Sequence, residues 1–443
     1  MPRRPARSRG FTLVELMVAV TGGLFVTLAV FALSKQSTRI YQAETRIANA
    51  TMSSVVGFDR LRADIERAGY LVSPNVSVDP KFCGTPGDAN WPQSADGKGQ
   101  YMRHLSSVFI TPTPVANVPN ELKANGIAPD EITLAGSYSS LDQFPTESIQ
   151  DDGTHHVILL QVASPAMARL GFNPSALPAD QVKLLGQVFA KGRILRIVDT
   201  VGREQYGVIE DLEGGLPPKI LLKRPSASSL LYRTTSTSLK CGIQGNGKQS
   251  LVNVVNFIKY SIKNLSTDAR YAPLYGTNAP ATDSGRGELV REELDASGAT
   301  VPDENGDPAY EVIAEFAVDL SFGITVSSIV TSGTGAKVES LLTYGAGAPE
   351  VAKYAGETWG ASPLVASTMA PQYLRMIHAR LGVRSREADR DTNVPTFGDG
   401  GAPILSGMYR IGLGTPGPNA PPFARVRTMQ SDIALRNHRG VTW

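Results

Sequence analysis

The N-terminal part of the chain is an unbroken apolar stretch followed by an amphipathic one. Residues 11–33 contain one ionisable side chain, Glu15. As a helix these residues extend about 34 Å, enough for a hydrocarbon core of roughly 30 Å. No proline follows until Pro74, and apolar residues recur at helical spacing, at Ile40, Ile47, Val55, Phe58, Leu61, Ile65 and Ala68. The pattern predicts one helix over residues 11–68, apolar all round in its first half and one-sided in its second.

Beyond Gly69, which we expect to end this helix, the apolar period changes from 3.6 to 2. The alternation is clearest over residues 312–326, which we predict as one long, half-buried strand. Eight further runs have strand character: 131–135, 157–162, 193–198, 205–209, 220–222, 251–262, 374–383 and 429–435. An antiparallel sheet packed on the end of a long helix follows, which is an α+β arrangement.

Composition and charge narrow the class of protein. Of the 443 residues, 42% are hydrophobic and 19% charged, and the 43 glycines and 30 prolines favour a turn-rich β body. The net charge of +2 does not favour nucleic acid as a partner. The first ten residues carry four arginines: Arg3, Arg4, Arg7 and Arg9. This bias predicts a cytoplasmic N-terminus and export of everything after Leu33.

Glu15 is the costly feature of the apolar stretch, because an ionised carboxylate near a bilayer centre costs a few kcal/mol or more. A cleavage between Gly10 and Phe11 would create an α-amine that compensates this charge. The string RSRG followed by FTLVELMVAV resembles the class III signal of type IV prepilins. The resemblance implies that prepilin peptidase cuts after Gly10, that Phe11 becomes the N-methylated mature terminus, and that Glu15 is the glutamate used in subunit docking.

Segments of the body resemble the PilW-type minor pilins, which are similar to the J-type minor pseudopilins of type II secretion. These segments are LRADIERAGY (61–70), GELVREEL (287–294), VIAEFAVDLSFGITV (312–326), LRMIHARLGVRS (374–385) and DIALRN (432–437). The implied fold is pilin-like, with a large antiparallel β-rich domain. The predicted division is a leader (1–10), the membrane-spanning half of the helix (11–33), its amphipathic half (34–69) and a globular domain (70–443) with an added loop or subdomain at about 327–370.

The resemblance implies a non-enzymatic minor pilin that primes a type IV pilus or sits near its tip, with roles in adhesion and twitching motility. Its expected partners are prepilin peptidase, other minor pilins, the major pilin, a tip adhesin and the pilus assembly platform. It would lie in the inner membrane before assembly and in the pilus at the cell surface afterwards. Two alternatives stay open: a type II secretion pseudopilin, and a membrane-anchored periplasmic enzyme or receptor that does not polymerise.

Few other residues suggest chemistry, and no cofactor is expected. The two cysteines, Cys83 and Cys241, would lie in an oxidising periplasm, and we predict a disulfide between them. Three residues, Asp303, Asn305 and Asp307, alternate as calcium ligands do, but the glycine is misplaced and the twelfth position is Ala314, so a solvated hairpin turn is favoured over calcium. The five histidines lack metal-ligand spacing, and no G-x-S-x-G motif nominates a nucleophile.

Overall fold

The computed structural model describes the larger part of the chain. The described residues are 12–76, 79–82, 105–111, 118–223, 233–234, 243–244, 246–266, 268–271, 273, 286–303, 306–331, 337–356, 370–386, 408–411, 423–439 and 441.

One long helix, α1 (Leu13–Arg67), forms the N-terminal part of this structure. It confirms the helix predicted over residues 11–68 and passes through Gly22 and Gly23 without a break. The helix ends before Gly69, which has φ +78° and donates its N–H to the carbonyl of Ala135 at 2.9 Å. Glycine favours this left-handed conformation because it has no Cβ.

The described strands are antiparallel except for one short pair, and they confirm the predicted α+β, pilin-like class. Each of the eight shorter predicted strands overlaps an observed one. In chain order the strands are β1 (Val108–Thr111), β2 (Glu131–Gly136), β3 (Phe144–Asp151), β4 (His155–Leu160), β5 (Ile194–Val198), β6 (Glu204–Glu213), β7 (Lys219–Lys223), β8 (Arg233–Thr234), β9 (Ile243–Gln244), β10 (Leu251–Lys263), β11 (Glu288–Leu294), β12 (Tyr310–Ala314), β13 (Ala317–Thr331), β14 (Lys337–Tyr344), β15 (Leu374–Arg384), β16 (Met408–Arg410) and β17 (Phe423–Ala434).

Short helices join the strands. The described α-helices after α1 are α2 (Asn120–Ala124), α3 (Pro165–Leu170), α4 (Pro178–Gly186) and α5 (Pro349–Ala355), and the described 3-10 helices are Ala269–Tyr271, Pro371–Tyr373 and Arg436–His438.

The two ends of strand β10 pair with different sets of strands. Its residues 256–263 pair with β2 and β11, in a sheet that runs from β1 to β12. Its first residues, 251–255, pair with β5, and 251–252 also pair with β3. Through these pairings β10, β3, β4, β7, β6 and β5 close into a six-stranded antiparallel ring. We call this ring the barrel; it has its own apolar core, to which α3 and α4 contribute Met167 and Leu185.

A second sheet has the strand order β14-β13-β15-β17-β16. It shares one core with the C-terminal half of α1 and with β1, β2, β10 and β11. Phe58, Leu61 and Ile65 of the helix and Phe322, Ile377 and Leu381 of the sheet are among its buried members. This shared core holds the helix on the body.

The long strand predicted over residues 312–326 is wrong as a single element. The chain breaks at Glu315–Phe316, so that β12 pairs with β11 while β13 pairs with β14 and β15. Phe316 has φ +57°, a costly conformation for a residue with a Cβ. The alternation survives because Ala314, Phe316 and Val318 are all buried, although the two strands belong to different sheets.

The segment 327–370, which we expect to be an added loop or subdomain, contains regular structure where it is described. It includes the end of β13, all of β14 and helix α5. Strand β14 pairs with β13 over eight consecutive residue pairs.

Candidate functional site: the N-terminal helix and its docking surface

The first part of α1 stands outside the body. Residues Leu13–Thr38 are long and apolar enough to cross a membrane, with a mean hydropathy of 2.4 and none of that surface buried. Among the helix side chains that the structure describes, the first buried one is Ser54. About 40 residues, or roughly 60 Å of helix, therefore project from the body. A large exposed apolar surface of this kind marks contact with membrane or with other subunits.

The start of the helix is a capping box built on Thr12 and Glu15. The hydroxyl of Thr12 accepts the N–H of Glu15 at 3.2 Å, and Oε2 of Glu15 accepts the N–H of Thr12 at 3.0 Å. Two otherwise unpaired backbone donors are satisfied in this way. Sequence reasoning assigned Glu15 to subunit docking and missed this local role, although the spacing T-x-x-E before an apolar run signals it.

The C-terminal half of α1 lies close against β12 at Gly57. A Cβ at this position would lie 3.0 Å from Cβ of Ala314 and 3.3 Å from the carbonyl oxygen of Ile313. Helix and β12 therefore meet without space for a side chain. The apolar neighbours Phe58, Leu61 and Ile65 pack into the shared core on either side of this contact.

A buried polar network fixes the helix one to two turns further on. Oδ2 of Asp64 accepts a hydrogen bond from the hydroxyl of Tyr260 at 2.8 Å and one from Nε of Arg291 at 2.7 Å. Arg291 also donates to Glu311 at 3.1 Å, and the hydroxyl of Tyr138 donates to the Asp64 carbonyl at 2.8 Å. Burial and the Asp64 charge raise the pKa of Tyr260, which therefore stays a donor. Asp64 thus joins the helix to β10 and β11 through charged hydrogen bonds.

The helix end is held by the C-terminal part of the chain. The side-chain amide of Asn437 donates to the carbonyl of Ala68 at 3.0 Å. A Cβ on Gly69 would lie 3.2 Å from both Asn437 and the ring of His438. His438 is fully buried, with Nε2 at 2.6 Å from the hydroxyl of Ser107. Burial, with a smaller contribution from the Arg375 charge, lowers the pKa of His438 to about 4, so the ring is neutral at physiological pH.

The barrel lies past the C-terminal end of α1. Tyr260, which bonds to Asp64, is paired with Ile132, and Asn256 is paired with Gly136, which abuts the carbonyl of Arg67. Residues 260 to 256 of β10 thus run alongside the helix as far as its last turn. Residues 255–251 continue past the helix end into the barrel.

The chain that leaves the helix follows the same course. The Asn253 amide donates to the Leu71 carbonyl at 3.0 Å, and the N–H of Ser73 donates to the hydroxyl of Tyr206 at 3.3 Å. Both contacts are with the barrel, which therefore occupies the end of the body opposite to the projecting helix.

A buried ionic cluster lies where the first and second sheets meet. Arg286 and Glu288 pair inside the protein, both fully buried. The guanidinium groups of Arg286 and Arg384 lie 4.4 and 4.9 Å from the centre of the Phe316 ring. Burial raises the pKa of Glu288 to about 7, although Arg286 opposes the shift. The N–H of Phe316 donates to Glu288 at 3.2 Å, so this cluster holds the left-handed residue that separates β12 from β13.

The second sheet carries an Asp–His–Thr row that sequence reasoning did not nominate. Nδ1 of His378 is 2.6 Å from Asp432, and its Nε2 is 2.7 Å from the Thr325 hydroxyl. The same hydroxyl lies 2.9 Å from that of Thr343, and Thr325 is 4% exposed. The row has the connectivity of a catalytic triad, but the hydroxyl belongs to a buried residue in the middle of β13. Its contacts join four neighbouring strands.

The structure places the predicted site residues unevenly. Glu15 is described at the start of the helix, whereas Gly10, Phe11, Cys83, Cys241 and Asn305 lie outside the described residues. The cleavage, methylation and disulfide predictions therefore stay predictions.

The two aspartates of the calcium-like sequence are part of a tight turn. The Asp303 carboxylate accepts the N–H of Asp307 at 3.1 Å and lies 3.4 Å from Nη1 of Arg270. No group of three or more His, Cys, Asp or Glu side chains suited to a metal ion occurs within the described part of the chain.

Comparison with known proteins gives one match. The model of the prokaryotic N-terminal methylation motif matches residues 5–21. Neither the curated proteins nor the solved structures contain a match. The matched segment includes the start of the exposed apolar helix, in agreement with anchoring in the inner membrane. Together the methylation motif, the projecting helix and the α+β body support a pilin-like or pseudopilin-like protein, of a kind that points to a structural rather than an enzymatic role.

Proposed function

We propose that the chain is a minor pilin of the PilW type that primes assembly of a type IV pilus and sits near its tip. Before assembly it lies in the inner membrane with its body in the periplasm. Prepilin peptidase cuts after Gly10, and the new N-terminus on Phe11 is methylated. Its partners are the assembly platform, other minor pilins, the major pilin and a tip adhesin.

The projecting part of α1 supports polymerisation through this helix. Every described side chain of its first 40 residues is exposed, and the methylation motif overlaps their first turns. The body segments that resemble PilW-type pilins also meet at one place. They meet around the C-terminal half of α1, which packs against strands β11 and β15 and against the segment at the end of β17.

The position of the barrel is the observation that favours the tip. In a filament of parallel subunits, the space beyond the C-terminal end of one helix holds the heads of subunits that lie nearer the tip. Here that space holds a six-stranded barrel with its own core. A subunit of this shape fits best where no other head lies beyond it, which is the distal end of the filament.

Glu15 offers the sharpest test of polymerisation, because its charge and its capping role are separable. Glu15→Gln keeps the capping box, since glutamine also accepts the Thr12 N–H, but removes the charge. Thr12→Ala weakens the cap and keeps the charge. Glu15→Ala removes both. We expect all three proteins to insert in the membrane and to lose the leader.

The measurement is the amount of each variant in sheared filaments relative to the inner membrane. If the carboxylate docks on the α-amine of a neighbouring subunit, both Glu15 variants should be depleted from filaments and Thr12→Ala should not. Equal depletion of Thr12→Ala would assign the effect to the cap. Wild-type protein confined to the inner membrane, or a mature N-terminus other than Phe11 by intact mass, would contradict the proposed function.

A further inference from the structure

The edge strands of the sheets in this protein differ in whether another group contacts their outer side. An edge strand presents unpaired N–H and C=O groups to any extended chain, and proteins usually cover or blunt such edges. The two large sheets end in four strands: β1 and β12 in the first, β14 and β16 in the second. Three of these four edges are blocked by a specific contact.

Each block is made by a different group. At β16, the side-chain amide of Asn125 accepts the N–H of Arg410 at 3.0 Å and donates to its carbonyl at 2.9 Å. At β12, the hydroxyl of Tyr271 accepts the N–H of Tyr310 at 3.2 Å and donates to its carbonyl at 2.8 Å.

At β1, the end of α5 lies against the strand. A Cβ on Gly356 would be 2.9 Å from the carbonyl oxygen of Ile110.

Strand β14 lacks such a block among the described residues. It has eight residues, no proline, and an unbroken register with β13. Its backbone makes no hydrogen bond on the outer side with any described residue. Leu341 is 62% exposed and Leu342 is 41% exposed. Because side chains alternate along a strand, these leucines lie on opposite faces of the sheet.

We propose that the outer edge of β14 receives an extended strand from a different exported protein, one that carries apolar side chains on both of its faces. The backbone of the incoming strand would pair with β14, and its side chains would cover Leu341 on one face and Leu342 on the other. On the Leu342 face it would also extend the shared core, against which Tyr344 already packs. The identification of the strand donor as a filament component rests on the proposed function.

A second copy of this chain does not fit the same edge. Identical edges that pair antiparallel are related by a two-fold axis perpendicular to the sheet. The C-terminal half of α1 lies on the face of this sheet, so that axis reverses the direction of the helix. The two membrane segments would then point in opposite directions, and both could not enter one bilayer.

The test uses the full-length protein in detergent micelles and a synthetic peptide of residues 318–328. This is the β13 segment whose residues 324–328 pair with the inner edge of β14. Amide hydrogen exchange of residues 337–344 is measured with and without the peptide. We expect the peptide at saturation to slow exchange in this segment by about tenfold or more, because local protection follows backbone pairing. A control peptide with methyl groups on alternate backbone nitrogens lacks the donors and should have no effect.

Two variants distinguish strand pairing at the edge from nonspecific binding of the peptide. Leu341→Lys places a charge on the edge and should abolish the protection. Leu216→Lys changes a leucine of similar exposure, 64%, in the β6–β7 turn and should leave the protection intact. Unchanged exchange with the peptide, or equal loss in both variants, would overturn the proposal.

The same exchange measurement in sheared filaments identifies the occupant. Protection of residues 337–344 in filaments, absent from purified protein, supports a strand from another filament component. Protection that instead rises with the concentration of purified protein alone would mean self-pairing and overturn the proposal. Absence of the protein from filaments would count against the proposed function, whereas the peptide result would still decide whether the edge accepts a strand.

Discussion

Replacement of Asp64 by alanine tests how the helix is joined to the body. The substitution removes the acceptor of the Tyr260 hydroxyl and of Nε of Arg291. Tyr260 is fully buried and the Arg291 side chain is 16% exposed, so neither regains a full hydration shell. Removing one partner of a buried pair costs about 3–5 kcal/mol, and an orphaned buried hydroxyl about 1–3 kcal/mol.

These two costs do not simply add, because Arg291 keeps its contact with Glu311. We therefore expect Asp64→Ala to lower the free energy of unfolding by about 3–4 kcal/mol. Tyr260→Phe removes one hydrogen bond and leaves the ion pair, so its expected cost is about 1 kcal/mol. Glu66→Ala is the matched control. It removes an exposed pair with Arg62 on the same helix and should cost less than about 1 kcal/mol.

The assay is urea unfolding of the full-length protein in detergent micelles, followed by circular dichroism. The free energy is obtained by linear extrapolation, with the slope compared between variants. A loss below about 1 kcal/mol for Asp64→Ala, equal to the Glu66→Ala control, would refute the view that this network anchors the helix.

The remaining predictions concern pH, packing and the cysteines. The pKa of Glu288 is raised to about 7 when folded, so its contribution to stability is complete below about pH 4.5 and is lost as pH rises to about 7. The pKa of His438 is lowered to about 4, so its contribution has the opposite sign and is lost as pH falls from about 6.5 to 4. In urea unfolding, the free energy of unfolding of Glu288→Gln should fall below that of wild type as pH is lowered, and that of His438→Gln should fall below wild type as pH is raised toward neutral. Variant and wild-type curves that run parallel with pH would contradict these assignments. Gly57→Val should force α1 away from Ala314 and cost about 1–3 kcal/mol, whereas Gly23→Val, where a Cβ meets nothing within 4 Å, should leave body stability unchanged. Thiol labelling of denatured, unreduced protein should find no free sulfhydryl if Cys83 and Cys241 are bridged; two reactive thiols would show that the bridge is absent.

The features that depend on near neighbours in the chain follow from the amino-acid sequence. The absence of proline and the spacing of apolar residues specify α1 almost to its ends, because helical hydrogen bonds join residues four apart. The alternation of apolar residues identifies the strands for the same reason. The methylation motif and the apolar segment after it are also local, so residues 5–21 sufficed to indicate a pilin-like or pseudopilin-like protein.

Which helices and strands contact one another is fixed by tertiary packing. Period-two alternation continues through Phe316, yet the strands on either side join different sheets, because alternation records burial and not the identity of the partner. The barrel closes because residues 251–255 of β10 pair with β5 and residues 251–252 also pair with β3, and no local pattern encodes these partners. Asp64 reads in the sequence as an exposed helix charge, but its partners, Tyr260 and Arg291, are 196 and 227 residues away. Contacts of this separation are fixed by the packing of the whole body, so only the folded chain reveals that this carboxylate is buried and paired.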